Sequence, residues 1–198
     1  PSQLMENWTW EKEALYLFAR HHKTGDALPE QLYERMVAAR RFMGGWSQMR
    51  QLSLGTVDLE LHEELAPQLR TDAASYSEEE VDLVQGDLVM EFARERFESF
   101  VIGPHFAELH ILPVFTHLFS GGYAAAYYSY LWSEVLDADV FTRFRQEGIF
   151  NRETGQSYVK SILSRGDSAE PGALFKEFMG RDPDPAALLD RNLGPEPA

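Results

Sequence analysis

The sequence predicts an all-α protein, and three observations carry that prediction. Apolar residues recur at intervals of three and four in almost every segment, the spacing that keeps side chains on one face of a helix. Glycine and proline stand between those segments, at Gly25, Pro29, Gly44-Gly45, Pro67 and Gly103-Pro104, where helices stop or start. The alternating run Thr56-Val57-Asp58-Leu59-Glu60-Leu61 is short and has helical pattern on both sides, so it too reads as helix.

Taken in order, Ser2 to about His22 carries Leu4, Met5, Trp8, Leu15, Phe18 and Ala19 at helical spacing, and Lys23-Thr24-Gly25-Asp26 stops it. Pro29 sits where a first-turn proline belongs, and Glu30 suits the positive end of a second helix running to around Phe42. Gly44-Gly45 kinks or separates a third stretch, Trp46 to Leu65, which Pro67 is expected to end. Ser77-Glu78-Glu79-Glu80 has the form of a capping box, opening a helix that reaches Phe100. A further helix holds Tyr123 to Asp137, followed by short ones at 138–147, 154–164, 171–179 and 184–192. Residues 194–198 read as a flexible tail.

At 198 residues, with 44% hydrophobic and 13% aromatic residues, the chain is long and apolar enough for one domain, 1–198, with a sizeable core. Eighteen basic residues against 32 acidic ones give a net charge of −14. Nucleic-acid binding depends on neutralising phosphates with Lys and Arg, so nucleic acid is not an expected partner. No cysteine is present, which removes disulfides, thiolate nucleophiles and Cys-rich zinc sites. No apolar run approaches the roughly 20 residues that span a bilayer, so no membrane partner is expected. The first residues, Pro1-Ser2-Gln3-Leu4-Met5-Glu6-Asn7-Trp8, read like the interior of a helix rather than a start or a signal, so the chain is expected to begin inside a larger protein.

A search for chemistry finds no complete catalytic set. His62-Glu63-Glu64-Leu65-Ala66 begins a zinc-protease H-E-x-x-H motif but ends in Ala. His105-Phe106-Ala107-Glu108-Leu109-His110 resembles an inverted motif with its last His one residue late. His21-His22 suit the negative end of a helix. No E-x-x-H pair, phosphate-binding glycine loop or G-x-S-x-G elbow occurs, so no metal ligand is assigned in this chain.

One stretch is unusual: His117-Leu118-Phe119-Ser120-Gly121-Gly122-Tyr123-Ala124-Ala125-Ala126-Tyr127-Tyr128-Ser129-Tyr130-Leu131-Trp132. Tyr123, Tyr127 and Tyr130 are spaced i, i+4, i+7, which on a helix puts three phenols on one face. Each phenol offers a ring to pack on and an O–H to donate. Tyr128 and Trp132 point to another face and are expected in the core. On the residues alone, packing with satisfied hydroxyls is the better account of three helical tyrosines.

That stretch closely resembles the substrate-binding loop and helix of the thimet oligopeptidase family of zinc peptidases. The resemblance continues through Ser133 to Asp139, Phe144 to Asn151, Ile162 to Ser168 and Phe178 to Pro183, and includes Pro1 to Trp8. The region 67–110 is its least familiar part. Because His117 stands six residues before Tyr123, the bacterial branch of the family, the oligopeptidase A and dipeptidyl carboxypeptidase type, looks closest.

The resemblance implies a multi-helical C-terminal part of a zincin-like, neurolysin-type catalytic domain. It implies a zinc-binding H-E-x-x-H helix upstream of residue 1, with the third ligand Glu two residues before Pro1. Zinc is then a cofactor of the complete enzyme, none is expected on this chain alone, and the chain alone is expected to be inactive. The implied partners are short peptide substrates and the N-terminal remainder of the same enzyme, in the cytoplasm. By the same resemblance Tyr130 donates to the oxyanion and Tyr127 is its neighbouring catalytic contact. His117, Gly121, Gly122 and Tyr123 would bind substrate, and Glu6 would accept a hydrogen bond from a zinc-bound imidazole. The alternative is a non-catalytic helical interaction module that docks peptides on an aromatic face.

Overall fold

The computed structural model describes residues 1–72, 77–101 and 111–194, and among them no β-strand occurs, only an isolated bridge between Arg20 and Ala27. The all-α expectation is met. The helices are α1 (Ser2–Glu6), α2 (Lys12–Phe18), α3 (Glu30–Arg41), α4 (Gly44–Glu60), α5 (Ala66–Asp72), α6 (Glu78–Glu98), α7 (Ser129–Glu147), α8 (Arg152–Tyr158), α9 (Pro171–Met179) and α10 (Ala186–Leu193). The chain divides into two compact units, Pro1–Gly44 with Trp132–Ala198, and Gly45–Leu131.

Several boundaries differ from the sequence pattern for physical reasons. The N-terminal stretch breaks into α1, a 3-10 turn at Asn7–Trp10, and α2, because Glu11 is extended. Pro67 does not end a helix: a π-helical turn at Leu61–Leu65 precedes it and the chain continues as α5. An extra residue in the turn is one way to relieve the clash and missing N–H that proline brings to a helix. No break falls at Asp137-Ala138, and α7 runs through to Glu147, because both acids beside that boundary are buried and paired instead of capping. The side chains of the predicted capping box at 78–80, the tail at 195–198, and His105 and His110 lie outside the described residues.

The core of the first unit gathers Leu4, Ala14, Val140, Phe141, Phe144, Ile149, Tyr158, Phe175 and Phe178. Each large aliphatic or phenylalanine side chain among these contributes roughly 1.5–3 kcal/mol by leaving water. Trp8 packs edge-on against Phe141 and Phe144, 4.8 and 4.9 Å between centroids, and its indole N–H donates to Ile149 O at 2.9 Å. Two buried acids of α7 fasten the ends of the chain to this core. Asp137 accepts from Asn7 Nδ2 at 2.8 Å and pairs with Arg191, while Asp139 accepts from both terminal nitrogens of Arg181 and from the Asp184 N–H. Trp132 is 57% exposed and not in the core, because it lies at the N-terminal end of α7 beyond Leu136, where the packed face begins.

In the second unit, α4 and α6 enclose Leu54, Val57, Ala93 and Phe97, joined by Leu112, Phe115 and Leu118. Arg96 on α6 bonds Glu60 at 3.0 Å and Glu64 at 2.8 Å, fixing the exposed edge of that pair. The platform for the tyrosine stretch is one stripe of α4: Gln51, Leu54, Gly55 and Asp58, followed by His62 one turn on.

Candidate functional site

Four of the sequence-predicted residues converge within the second unit. The His117 ring centroid lies 5.5 Å from that of Tyr123, 5.9 Å from Tyr127 and 6.0 Å from Tyr130. Tyr123 stacks on Tyr130 at 5.3 Å, and Tyr127 lies 5.2 Å from Tyr130. Phe115 closes the back of the cluster, edge-on to Tyr127 at 4.8 Å. His117 is the middle residue of a short 3-10 turn, Thr116–Leu118, anchored by fully buried Leu118.

The tyrosines do not share a helix. Only Tyr130 belongs to α7, and residues 124–128 form successive turns closed by Ala126 N–H to Tyr123 O and Ser129 N–H to Ala126 O. Ala125 has a positive φ of 56°, which no right-handed helix contains. The cause sits on α4. Asp58, with no exposed surface, accepts the Ala125 N–H at 3.0 Å on one carboxylate oxygen and the Tyr127 N–H at 2.9 Å on the other. Those amides are thereby diverted from helical partners, and the rings are brought together by turns. The changed direction also leaves the Tyr128 side chain 51% exposed and not in the core. Its backbone still packs down, since a Cβ on Gly55 would meet Tyr128 Cα at 3.5 Å.

Gly121 and Gly122 both have positive φ, 75° and 80°, conformations that favour glycine, so this loop needs its glycine pair for its path. The Ser120 hydroxyl donates to Thr116 O at 3.0 Å. Glu6 belongs to the first unit, at the exposed end of α1, where its carbonyl accepts from the Thr9 hydroxyl at 2.7 Å.

The hydroxyls are ordered among themselves. Tyr127 Oη donates to Gln51 Oε1 at 3.2 Å. A hydrogen bond with Tyr123, then burial, then the neighbouring phenols of Tyr123 and Tyr127, hold the Tyr130 pKa above its ordinary value of 10.0. Tyr130 therefore keeps its proton through neutral pH. The cluster offers a peptide aromatic walls and phenolic donors beside an imidazole.

Asp58, Gln51 and Phe115 were missed by sequence reasoning. The available signal was Asp58 itself, a charged residue at helical spacing between Leu54 and Leu61 on an apolar face. His62, the other histidine of a broken motif, places Nδ1 2.8 Å from the carbonyl oxygen of Asp58, an ordinary intrahelical contact. His21 accepts from the Thr24 N–H in the turn after α2, beyond the helix end where its charge was expected to act.

A metal does not fit these residues. Among the described residues, no group of three or more His, Cys, Asp or Glu side chains converges, and the rings beside His117 are those of Phe115 and the three tyrosines.

Comparison with known proteins places this sequence in a family. The sequence pattern described as Peptidase family M3 matches residues 1–193. Oligopeptidase A of Escherichia coli K12 is 44% identical over 190 residues, covering 96% of this chain and 26% of that protein. A probable cytosolic oligopeptidase A of Arabidopsis thaliana is 41% identical over 196 residues, covering 97% and 26%. Dipeptidyl carboxypeptidase of Escherichia coli K12 is 30% identical over 183 residues, covering 92% and 25%. The chain spans about a quarter of the length of these relatives. The match runs almost end to end and includes the whole tyrosine cluster, so the chain belongs to peptidase family M3.

Proposed function

We propose that this chain is the C-terminal, substrate-binding part of a zinc-dependent oligopeptidase or peptidyl-dipeptidase that hydrolyses short peptides. The zinc is held by residues N-terminal to it, and the location we infer is the cytoplasm, in keeping with the Arabidopsis relative named as cytosolic. The observation that carries the reading is the convergence of His117, Tyr123, Tyr127 and Tyr130 beside two positive-φ glycines, in a chain whose relatives are named as peptidases.

The roles follow from where the protons are. Tyr130 is the donor to the peptide carbonyl as that oxygen gains charge, its O–H turning from Tyr123 to the substrate. Tyr127 gives its proton to Gln51, so it orients the cluster and offers its oxygen lone pairs. His117 and Tyr123 hold the peptide backbone, and Gly121 and Gly122 let their loop approach it closely. Glu6 would act on a metal-bound imidazole supplied by the rest of the protein.

The test uses the complete protein and a quenched fluorogenic oligopeptide. Cleavage that chelator abolishes and zinc restores is expected, with no cleavage by residues 1–198 alone. Absence of cleavage across a peptide library, or cleavage indifferent to chelator, overturns the reading.

A further inference from the structure

We infer that Asp58 is a positioning residue for the tyrosine cluster, acting through the turn that carries Tyr127. The kinetic part of this inference rests on the peptidase reading; the geometric part does not.

Two unfavourable features meet at this one place. The first is a carboxylate with no exposed surface in the unit's interior, where an apolar side chain would pack at less cost. The second is Ala125 in the left-handed region, a conformation that residues other than glycine, asparagine and aspartate rarely adopt. Each feature requires the other. The left-handed residue aims the Ala125 and Tyr127 N–H groups at a common point, and both oxygens of Asp58 sit there, 3.0 and 2.9 Å away. Backbone strain held by a buried charge is an arrangement that packing alone does not call for.

What it holds is specific. Asp58 and Gln51, two turns apart on one face of α4, grip Tyr127 at both ends, its backbone N–H and its phenol. Tyr127 in turn accepts the Tyr130 N–H on its carbonyl at 3.1 Å, and their rings lie 5.2 Å apart. The first turn of α7, and with it the Tyr130 hydroxyl, takes its position from the residue that Asp58 holds. His62 Nδ1 lies nearer the Asp58 carbonyl oxygen, at 2.8 Å, than the carboxylate, at 3.3 Å.

The experiment compares Asp58→Ala and Asp58→Asn with Phe175→Leu in the complete protein. Phe175 is a buried packing residue of the first unit's core, on α9. With a quenched fluorogenic oligopeptide, Asp58→Ala is expected to lower kcat by about 100-fold with KM changed less than about threefold, the cost of a displaced catalytic group. Asp58→Asn keeps the volume and one acceptor oxygen; it recovers part of the loss and covers the case in which the alanine variant does not fold. Phe175→Leu loses stability but leaves kcat per folded molecule within about twofold. Equal kcat losses in Asp58→Asn and Phe175→Leu, or a rise in KM alone, would overturn the inference. Amide hydrogen exchange decides the geometry without catalysis: in Asp58→Asn, Ala125 and Tyr127 exchange at least about tenfold faster while α6 amides do not. If no peptide is cleaved, the peptidase reading fails and exchange alone still decides; unchanged rates at those two amides would then overturn Asp58 as the holder of the turn.

Discussion

The rings of Tyr123 and Tyr130 stack 5.3 Å apart with planes inclined by 22°, although one lies in a turn and the other in the first turn of α7. This places one phenol against another and gives Tyr130 a partner for its proton. The first cause of its raised pKa is the hydrogen bond with Tyr123. The folded state therefore binds that proton more tightly than the unfolded chain does. Its contribution to stability is complete below pH 10.0 and is lost as pH rises through the higher folded value. In an ultraviolet titration, Tyr130→Phe is expected to remove a phenol that ionises above 10.0, and Tyr123→Phe to move that ionisation down. If Tyr123→Phe leaves the curve unshifted, the proton is not shared between these two residues.

Kinetics address the same hydroxyl from the other side. In the complete protein, Tyr130→Phe removes one donor and almost no volume. If that donor acts on charge that develops only during reaction, kcat falls by about 100-fold, roughly 3 kcal/mol, with KM little changed. An unchanged kcat removes Tyr130 from the chemistry and leaves the cluster as a binding wall.

The sequence made the helices legible wherever glycine or proline punctuates an apolar repeat. α9 lies at 171–179 as the pattern predicts, with Pro171 in its first turn and Gly180 left-handed at its end. Residue types also identified His117, Tyr123, Tyr127 and Tyr130 as a group, because phenols clustered in sequence stay close in space whether turn or helix joins them. The conformation between them was not legible. A repeat of i, i+4, i+7 reports helix only if the backbone N–H groups find local partners, and here a carboxylate 67 and 69 residues earlier takes two of them. The same long-range capture hid the roles of Asp137 and Asp139, which look like helix punctuation and are buried anchors.

Asp139 gives a stability prediction. Its carboxylate is 1% exposed and meets both terminal nitrogens of Arg181, whose side chain remains half exposed. Among the described residues, Arg181→Ala leaves that buried charge with the Asp184 N–H as its partner outside α7, and the loss is expected to be about 3 kcal/mol. Arg181→Lys keeps the charge but not the two-pronged fit, so its unfolding midpoint should lie between the two. Coincident midpoints for Arg181→Ala and the parent protein would remove this pair from the stability of the C-terminal segment.

At the junction of α7 and α8, Glu147 accepts the Thr154 hydroxyl at 2.5 Å and Arg143 Nε at 2.9 Å. The Thr154 bond first, then the Arg143 bond, hold its carboxyl below the usual 4.5. A lowered folded pKa means the contribution is present above pH 4.5 and fades as pH falls through the folded value. Glu147→Gln should therefore be less stable than the parent protein at pH 7, with the gap narrowing in acid. A gap that is constant with pH would assign the effect to packing instead of charge.

Gly44 and Gly86 separate space from backbone freedom. A Cβ on Gly44, at the start of α4, would stand 2.4 Å from the carbonyl oxygen of Asn192, a backbone atom next to the end of α10 that cannot swing aside. Gly44→Ala must therefore push α10 from its seat, and overpacking of this kind costs roughly 1–3 kcal/mol. A Cβ on Gly86, inside α6, would meet nothing within 4 Å. There alanine only restricts the unfolded chain and favours the helix, so Gly86→Ala should stabilise by up to about 1 kcal/mol. The complete protein's denaturant midpoint is expected to fall with the first substitution and rise with the second. Should Gly44→Ala leave the midpoint in place, the close approach of Asn192 to Gly44 does not exist in solution.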